Sequence, residues 1–149
     1  MKAVIQRVNS SSVYIEGKES SAINKGLLVL LGVEHDDNDL DISYMVDKIS
    51  NMRIFEDENY KMNLSVQDVG GEILVVSQFT LLADCRKGRR PSFDNAARPE
   101  QAKAIYEKFI AECIKRNLNI KTGTFQAEMT VNIENHGPVT ILLDSKKNF

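Results

Sequence analysis

Apolar and polar positions divide this chain into short segments that can be read one at a time. Lys2 to Val8 puts Ala3, Ile5 and, less cleanly, Arg7 on one face, with Val4 and Val8 on the other. Val13-Tyr14-Ile15-Glu16 alternates again and meets Gly17-Lys18, a pattern that predicts a hairpin turn. Gly26 to Val33 is apolar throughout, which predicts a strand covered on both faces. Asp36-Asp37-Asn38-Asp39 offers helix N-caps. Leu40, Ile42, Met45, Val46 and Ile49 then follow at helical spacing, so a helix is predicted over 38–51. Arg53 to Phe55 reads as a short strand and 56–59 as a polar turn, while 61–66 fits either loop or strand. After Gly70-Gly71, residues 72–82 carry the strongest strand pattern in the chain, and 83–98 read as a long loop. Pro99 can open a second helix over 99–117, with a stripe of Ala102, Ile105, Tyr106, Phe109, Ile110, Cys113 and Ile114. Strands over 124–134 and 138–143 close the chain.

Many strands with two helices far apart in sequence predict an α+β fold with a largely antiparallel sheet. The length of 149 residues suits one domain spanning 1–149 with a real core. Apolar residues at 42% and charged residues at 27% suit a soluble globular chain. No apolar run approaches the ~18 residues of a membrane span. The start, MKAVIQRV, lacks the apolar core of a signal peptide. Cys85 and Cys113 form no CxxC pair, so two reduced thiols and a cytoplasmic location are expected. A net charge of −2 excludes a general polycation, so any nucleic acid must be held by a local patch.

The one concentrated patch is Arg86, Lys87, Arg89 and Arg90, which suits phosphate contacts and also suits a solvated loop. His35 beside Glu34, Asp36 and Asp37 invites a metal reading. No second His or Cys stands at ligand spacing, and a solvated helix start explains the acidic run more simply. No metal and no cofactor are expected. Cys85 has cationic neighbours that could lower its pKa, but nothing marks His136 as its base. Ser77-Gln78-Phe79-Thr80 ends the ILVV strand with polar groups. There, backbone N–H groups and hydroxyls could stabilise an oxyanion, or Ser77 and Thr80 could be the solvent face of a strand. Asn135-His136-Gly137-Pro138-Val139-Thr140 puts a proline between two strands. Cis is the minority form, about 5–6% of X–Pro bonds, so the sequence leaves the isomer open. A cis bond would turn successive carbonyl oxygens to one side, a pair suited to gripping an ammonium.

MKAVIQRV, GLLVLLGVE, KMNLSV, VVSQFTLLAD, GRRPSFDNAA and NHGPVT, in this order, resemble the D-aminoacyl-tRNA deacylase (D-tyrosyl-tRNA deacylase) family from residue 1 to about 143. SQFTL and GPVT at this separation carry the likeness. The resemblance implies a compact, barrel-like homodimer with active sites at the subunit interface and an aminoacyl-tRNA substrate. The implied reaction is hydrolysis of the ester of D-aminoacyl-tRNA, and of glycine mischarged on tRNA for alanine. It implies that Ser77, Gln78, Phe79 and Thr80 form the catalytic segment. A cis Gly137-Pro138 loop would reach the partner's pocket to reject L residues, with Arg7 bracing the loop and Met129 in the pocket wall. Water activation would be assisted by the 2′-hydroxyl of the terminal ribose. Arg86, Lys87, Arg89 and Arg90 would meet tRNA, with Lys146 and Lys147 as secondary candidates. The chain departs from the family at His136, where most members carry Asp, so no role is carried over to that side chain. A non-catalytic tRNA-binding module and a structural dimer remain as rival readings.

Overall fold

Seven consecutive residues of one strand, Gly26–Gly32 (β3), lie at the centre of the molecule, and six of the seven are buried. The computed structural model describes residues 1–149. Ahead of β3 come β1 (Lys2–Ile15) and β2 (Lys18–Ile23). After it come α1 (Asp39–Asn51), β4 (Phe55–Glu56), β5 (Met62–Leu64) and β6 (Glu72–Ser77). A 3-10 turn (Phe79–Leu82), α2 (Pro99–Lys115), β7 (Asn119–Thr122) and β8 (Thr130–Asp144) complete the chain.

The main sheet runs β2-β1-β3-β6-β7, with β8 paired to β1. Pairings of β1 with β2, β3 and β8 are antiparallel. β3–β6 and β6–β7 are parallel, so the sheet is mixed within a largely antiparallel whole. β4 and β5 form a separate antiparallel hairpin. β3 and β6 explain why their sequences are apolar without alternation. Leu27, Val29, Leu31, Ile73 and Val75 face the helices. Leu28, Leu74 and Val76 face a second cluster with Val8, Val13 and Ile23. Ile5 and Val13 share parity on β1 yet sit in different clusters, because the register shifts twice between them. β1 therefore bends across the sheet and gives it a nearly barrel-shaped closure. Gly26 is required where it stands, since a Cβ there would lie 1.8 Å from the Glu72 carbonyl oxygen.

Both helices pack on the same face. Asn38 caps α1 by accepting from the Leu40 N–H at 2.9 Å, and Asp41 accepts from the Asn38 N–H at 2.9 Å, a complete capping box. Ile42, Met45, Val46 and Ile49 point inward, but Leu40 is 80% exposed and drops out of the expected stripe. On α2, Ile105, Tyr106, Phe109 and Cys113 are buried, while Ile114 is 58% exposed. Fully burying Phe109 alone stabilises the fold by about 2–3 kcal/mol.

Several segments differ from the sequence reading. The hairpin turn is Glu16-Gly17, one residue earlier, with both residues at positive φ. The strand expected over 72–82 stops at Ser77, and its last residues coil into the 3-10 turn. The strand expected over 124–134 is absent in its first half. Phe125, Gln126, Ala127 and Met129 line a cleft instead of pairing in a sheet, and β7 already occupies the edge of β6. The strand expected over 138–143 is the end of one long β8 that runs through the proline. The acidic run is only partly solvated: Asp36 and Asp39 are exposed. Asp37 and Glu34 are buried, and the Met1 ammonium donates to Asp37 at 2.6 Å and to Glu34 at 3.4 Å. Lys146 pairs with Glu34 at 3.2 Å and with Asp36, so cations of the chain itself take up the three clustered carboxylates.

Candidate active site

β6 ends where a cleft of about 510 Å³ begins. Ser77 is its last residue, and Phe79–Leu82 turn away in 3-10 geometry. The Gln78 N–H is spent on the Leu31 carbonyl at 2.8 Å. The N–H groups of Phe79 and Thr80 open the turn, where helical geometry supplies no acceptor. Ser77 ends the strand and Thr80 lies in the 3-10 turn, so the two do not share the face of one continuous strand, and Thr80 is exposed. All four residues Ser77 to Thr80 line the cleft.

The facing wall comes from the start of α2 and from the irregular segment after β7. Pro99 and Ala102 stand on one side, Phe125, Gln126, Ala127 and Met129 on the other, and Val33 and Ala97 close the floor. Every lining residue is uncharged. Thr80 accepts a hydrogen bond from the Gln78 side-chain amide at 3.0 Å, so a donor, not a base, meets its hydroxyl. Below the cleft, the Tyr106 hydroxyl donates to the Val75 carbonyl at 2.9 Å, and burial pushes its pKa up to about 12. Burial does the same to Cys113, again to about 12, which makes it an inert core thiol, whereas Cys85 is exposed.

Gly137, Pro138 and Arg7 lie elsewhere in the chain and line no part of this cleft. β1 and β8 pair at Gln6–Thr140 and again at Val8–Asn135. Between these pairs β1 has the single residue Arg7, and β8 has four, His136 to Val139. The excess buckles outward as a bulge. The Gly137–Pro138 peptide is cis, and both residues are exposed. Gly137 has φ +124°, and a Cβ there would lie 2.8 Å from Val139 Cγ2 and 3.0 Å from Arg7 Nη2, so only glycine fits. Arg7, 4% exposed, donates to the His136 carbonyl at 3.2 Å and to the Ile54 carbonyl at 2.8 Å. Arg7 and His136 line a separate small cleft of about 170 Å³.

The basic loop hangs from the cleft's rim. Asp84 and Ser92 exchange backbone hydrogen bonds at 2.8 and 3.0 Å and close Cys85–Pro91 into a loop. Phe93 at its base meets Phe79 edge-on, with ring centres 5.1 Å apart. Lys87, Arg89 and Arg90 are exposed. Arg86 instead folds back on Asp84 in a two-point contact at 2.9 and 2.6 Å. That hydrogen bonding, with the Arg86 backbone N–H, holds the Asp84 carboxyl well below the usual range. Arg86 is therefore partly neutralised before any ligand arrives. Sequence reasoning missed Phe125, Gln126, Ala127, Pro99 and Ala102 as cleft residues. The only signal was the alternation of Phe125, Ala127 and Met129, which reads equally as a strand.

The chain is similar to known proteins in sequence and in fold. The family model described as D-Tyr-tRNA(Tyr) deacylase matches residues 4–144. A D-aminoacyl-tRNA deacylase of Clostridioides difficile (strain 630) is 61% identical over the full length of both chains. One from Koribacter versatilis (strain Ellin345) is 60% identical, also over the full length of both. Among solved structures, one described as c-Myc DNA Unwinding Element Binding Protein aligns with TM-score 0.92 and 47% identity, covering 97% of this chain and 98% of that one. Another, described as a probable eukaryotic D-amino acid tRNA deacylase, has TM-score 0.83 at 16% identity over 95% and 97% of the chains, and shares the fold.

Proposed function

Because the chain belongs to the D-Tyr-tRNA(Tyr) deacylase family, we propose that it hydrolyses the ester of D-aminoacyl-tRNA to free D-amino acid and tRNA. The observation that carries this reading is a cleft whose walls are uncharged and whose lining includes Phe79 and Thr80, the first residues of a 3-10 turn, whose backbone N–H groups have no backbone acceptor. Such a site can hold an ester carbonyl and stabilise the oxyanion, at about 3 kcal/mol per well-placed donor. It has no acid–base side chain of its own to offer.

The proton handling then falls to the substrate. The free 2′-hydroxyl of the terminal ribose helps activate the attacking water. The water oxygen bonds to the carbonyl carbon, the ester C–O bond breaks, and the ribose oxygen leaves with a proton. Thr80 positions groups; it does not attack, in keeping with its bond from Gln78. Thr80→Ala retains activity within about tenfold of the parent, and a 2′-deoxy terminal ribose abolishes turnover. A trapped acyl-threonine, or undiminished hydrolysis of the deoxy substrate, reverses this assignment.

Selection works by exclusion. In a homodimer with cleft and bulge at the interface, Gly137 and Pro138 of one protomer enter the other's cleft. Their carbonyl oxygens hold the ammonium while the N–H groups of Phe79 and Thr80 hold the ester. Inverting the α-carbon then exchanges hydrogen for side chain, and an L residue meets the wall. Glycine has hydrogen on both sides and passes, which accounts for cleavage of glycine mischarged on tRNA for alanine. Exposure of both residues on a braced bulge supports the arrangement.

The tRNA backbone is met by Lys87, Arg89 and Arg90, with Arg86 contributing once it leaves Asp84. Neutralising Lys87, Arg89 and Arg90 lowers the slope of log affinity against log salt by about 0.7–0.9 per lost phosphate contact. An unchanged slope removes the loop from the tRNA interface. In this reading the protein is a single-domain cytoplasmic enzyme of translation quality control and needs no cofactor. Turnover of D-aminoacyl-tRNA, with none of the L ester, separates it from a nucleic-acid-binding module, which shows affinity alone.

A further inference from the structure

The bulge carrying Gly137 and Pro138 is closed at its neck by side chains that no part of the reaction calls for. Asn135 and Thr140 flank the four extra residues and meet across them. The Asn135 amide donates to the Thr140 hydroxyl at 3.1 Å, and its carbonyl oxygen accepts from the Val139 N–H at 3.3 Å. Gln6, on the neighbouring strand, donates to the same hydroxyl at 3.3 Å. Val139, inside the neck, is anchored in the core. The loop is thus held on one side by Arg7 at the His136 carbonyl and on the other by the Asn135–Thr140 staple.

We infer that Asn135 and Thr140 are positioning residues that set the D-over-L selectivity of the reaction without touching the substrate. The argument rests on the exclusion reading of Gly137 and Pro138 given above. A filter that works by steric contact depends steeply on where its wall stands, and a displacement of about 1 Å is enough to change a rate by two orders of magnitude. Removing the staple frees the side of the bulge that leads back to β8, while Val139 and Arg7 still hold the fold together. Glycyl and D esters share the ammonium contact to this loop and change together, while discrimination against L esters is lost. Chemistry at the staple also fixes which replacements suffice. Thr140 uses its oxygen as a double acceptor, so serine can serve there and valine cannot. Asn135 uses both ends of its amide, so alanine removes both contacts.

The test measures single-turnover hydrolysis of D-tyrosyl-, L-tyrosyl- and glycyl-tRNA by the full-length protein and by Asn135→Ala, Thr140→Val and Thr140→Ser. The D-to-L ratio is expected to fall at least about tenfold in Asn135→Ala and Thr140→Val. The ratio of glycyl to D-tyrosyl turnover and the melting temperature stay near the parent's, and Thr140→Ser keeps the D-to-L ratio. Pro138→Ala is measured alongside to separate the two readings. If it collapses the ratio while Asn135→Ala and Thr140→Val do not, the staple has no positioning role. If Pro138→Ala leaves the ratio unchanged too, the exclusion reading and this inference fall together. Should Asn135→Ala not fold, Thr140→Val against Thr140→Ser decides, because valine keeps the volume and removes only the acceptor.

Discussion

The two segments proposed to meet the substrate are held in opposite ways. The Ser77–Thr80 segment ends a central strand buried on both faces, and its geometry is inherited from the core beneath it. The His136–Val139 bulge interrupts an edge strand, with an exposed tip over a few braced contacts. The first lines a walled cleft. The second lines no part of that cleft and projects from the surface. A rigid anion-stabilising site can be built on the core, where packing fixes it. The bulge stands clear of its own core, so its rigidity comes from a small set of hydrogen bonds.

The contrast predicts where single changes hurt most. Arg7→Leu removes the buried guanidinium from the Ile54 and His136 carbonyls and lowers stability by about 2 kcal/mol, seen as a reduced urea midpoint at unchanged slope. The same variant loses D-over-L selectivity; a variant that kept full selectivity would show that the bulge is held by its own neck alone. Tyr106→Phe, under the cleft, costs only about 1 kcal/mol, because the Val75 carbonyl keeps its bond from the Gly123 N–H at 3.0 Å. Its selectivity stays at the parent value, and a shift would mean that the core-built region is the softer of the two.

The smallest effect concerns pH. Asp84 is held ionised by the Arg86 side chain and backbone N–H, so its folded pKa lies below its unfolded one. Its contribution to closing the basic loop is present above the ordinary carboxylate range and is lost as pH falls through the depressed folded value. A carboxyl titration followed by NMR is expected to show Asp84 protonating below the ordinary Asp range. A midpoint at the ordinary value would mean that Arg86 is free in solution and counts fully toward the basic patch.

Legibility in the sequence followed the reach of the forces involved. Both helices and the apolar strands were readable because 3.6- and 2-residue periods, Asn38 with Asp41, and Pro99 are local signals. The SQFT and NHGPVT segments stood out as chemistry-bearing strings, and the likeness to a family came from them. What could mislead was equally local. Leu40 and Ile114 fit a helical stripe yet face solvent, and Phe125, Ala127 and Met129 alternate without a strand partner. The acidic run around Asp37 read as solvated because its partners, Met1 and Lys146, are at the two ends of the chain.

By itself, then, the sequence determined the elements, the family and the residue types available for catalysis, since these depend on neighbours a few positions apart. The tertiary structure alone decided that one Arg7 faces four residues of β8, that Arg86 is already paired, and that the cleft walls carry no charge. Each of these depends on strand register, on a loop folding back, or on which faces of distant segments converge. Those outcomes are fixed by packing between residues far apart in the chain, where no local periodicity records them.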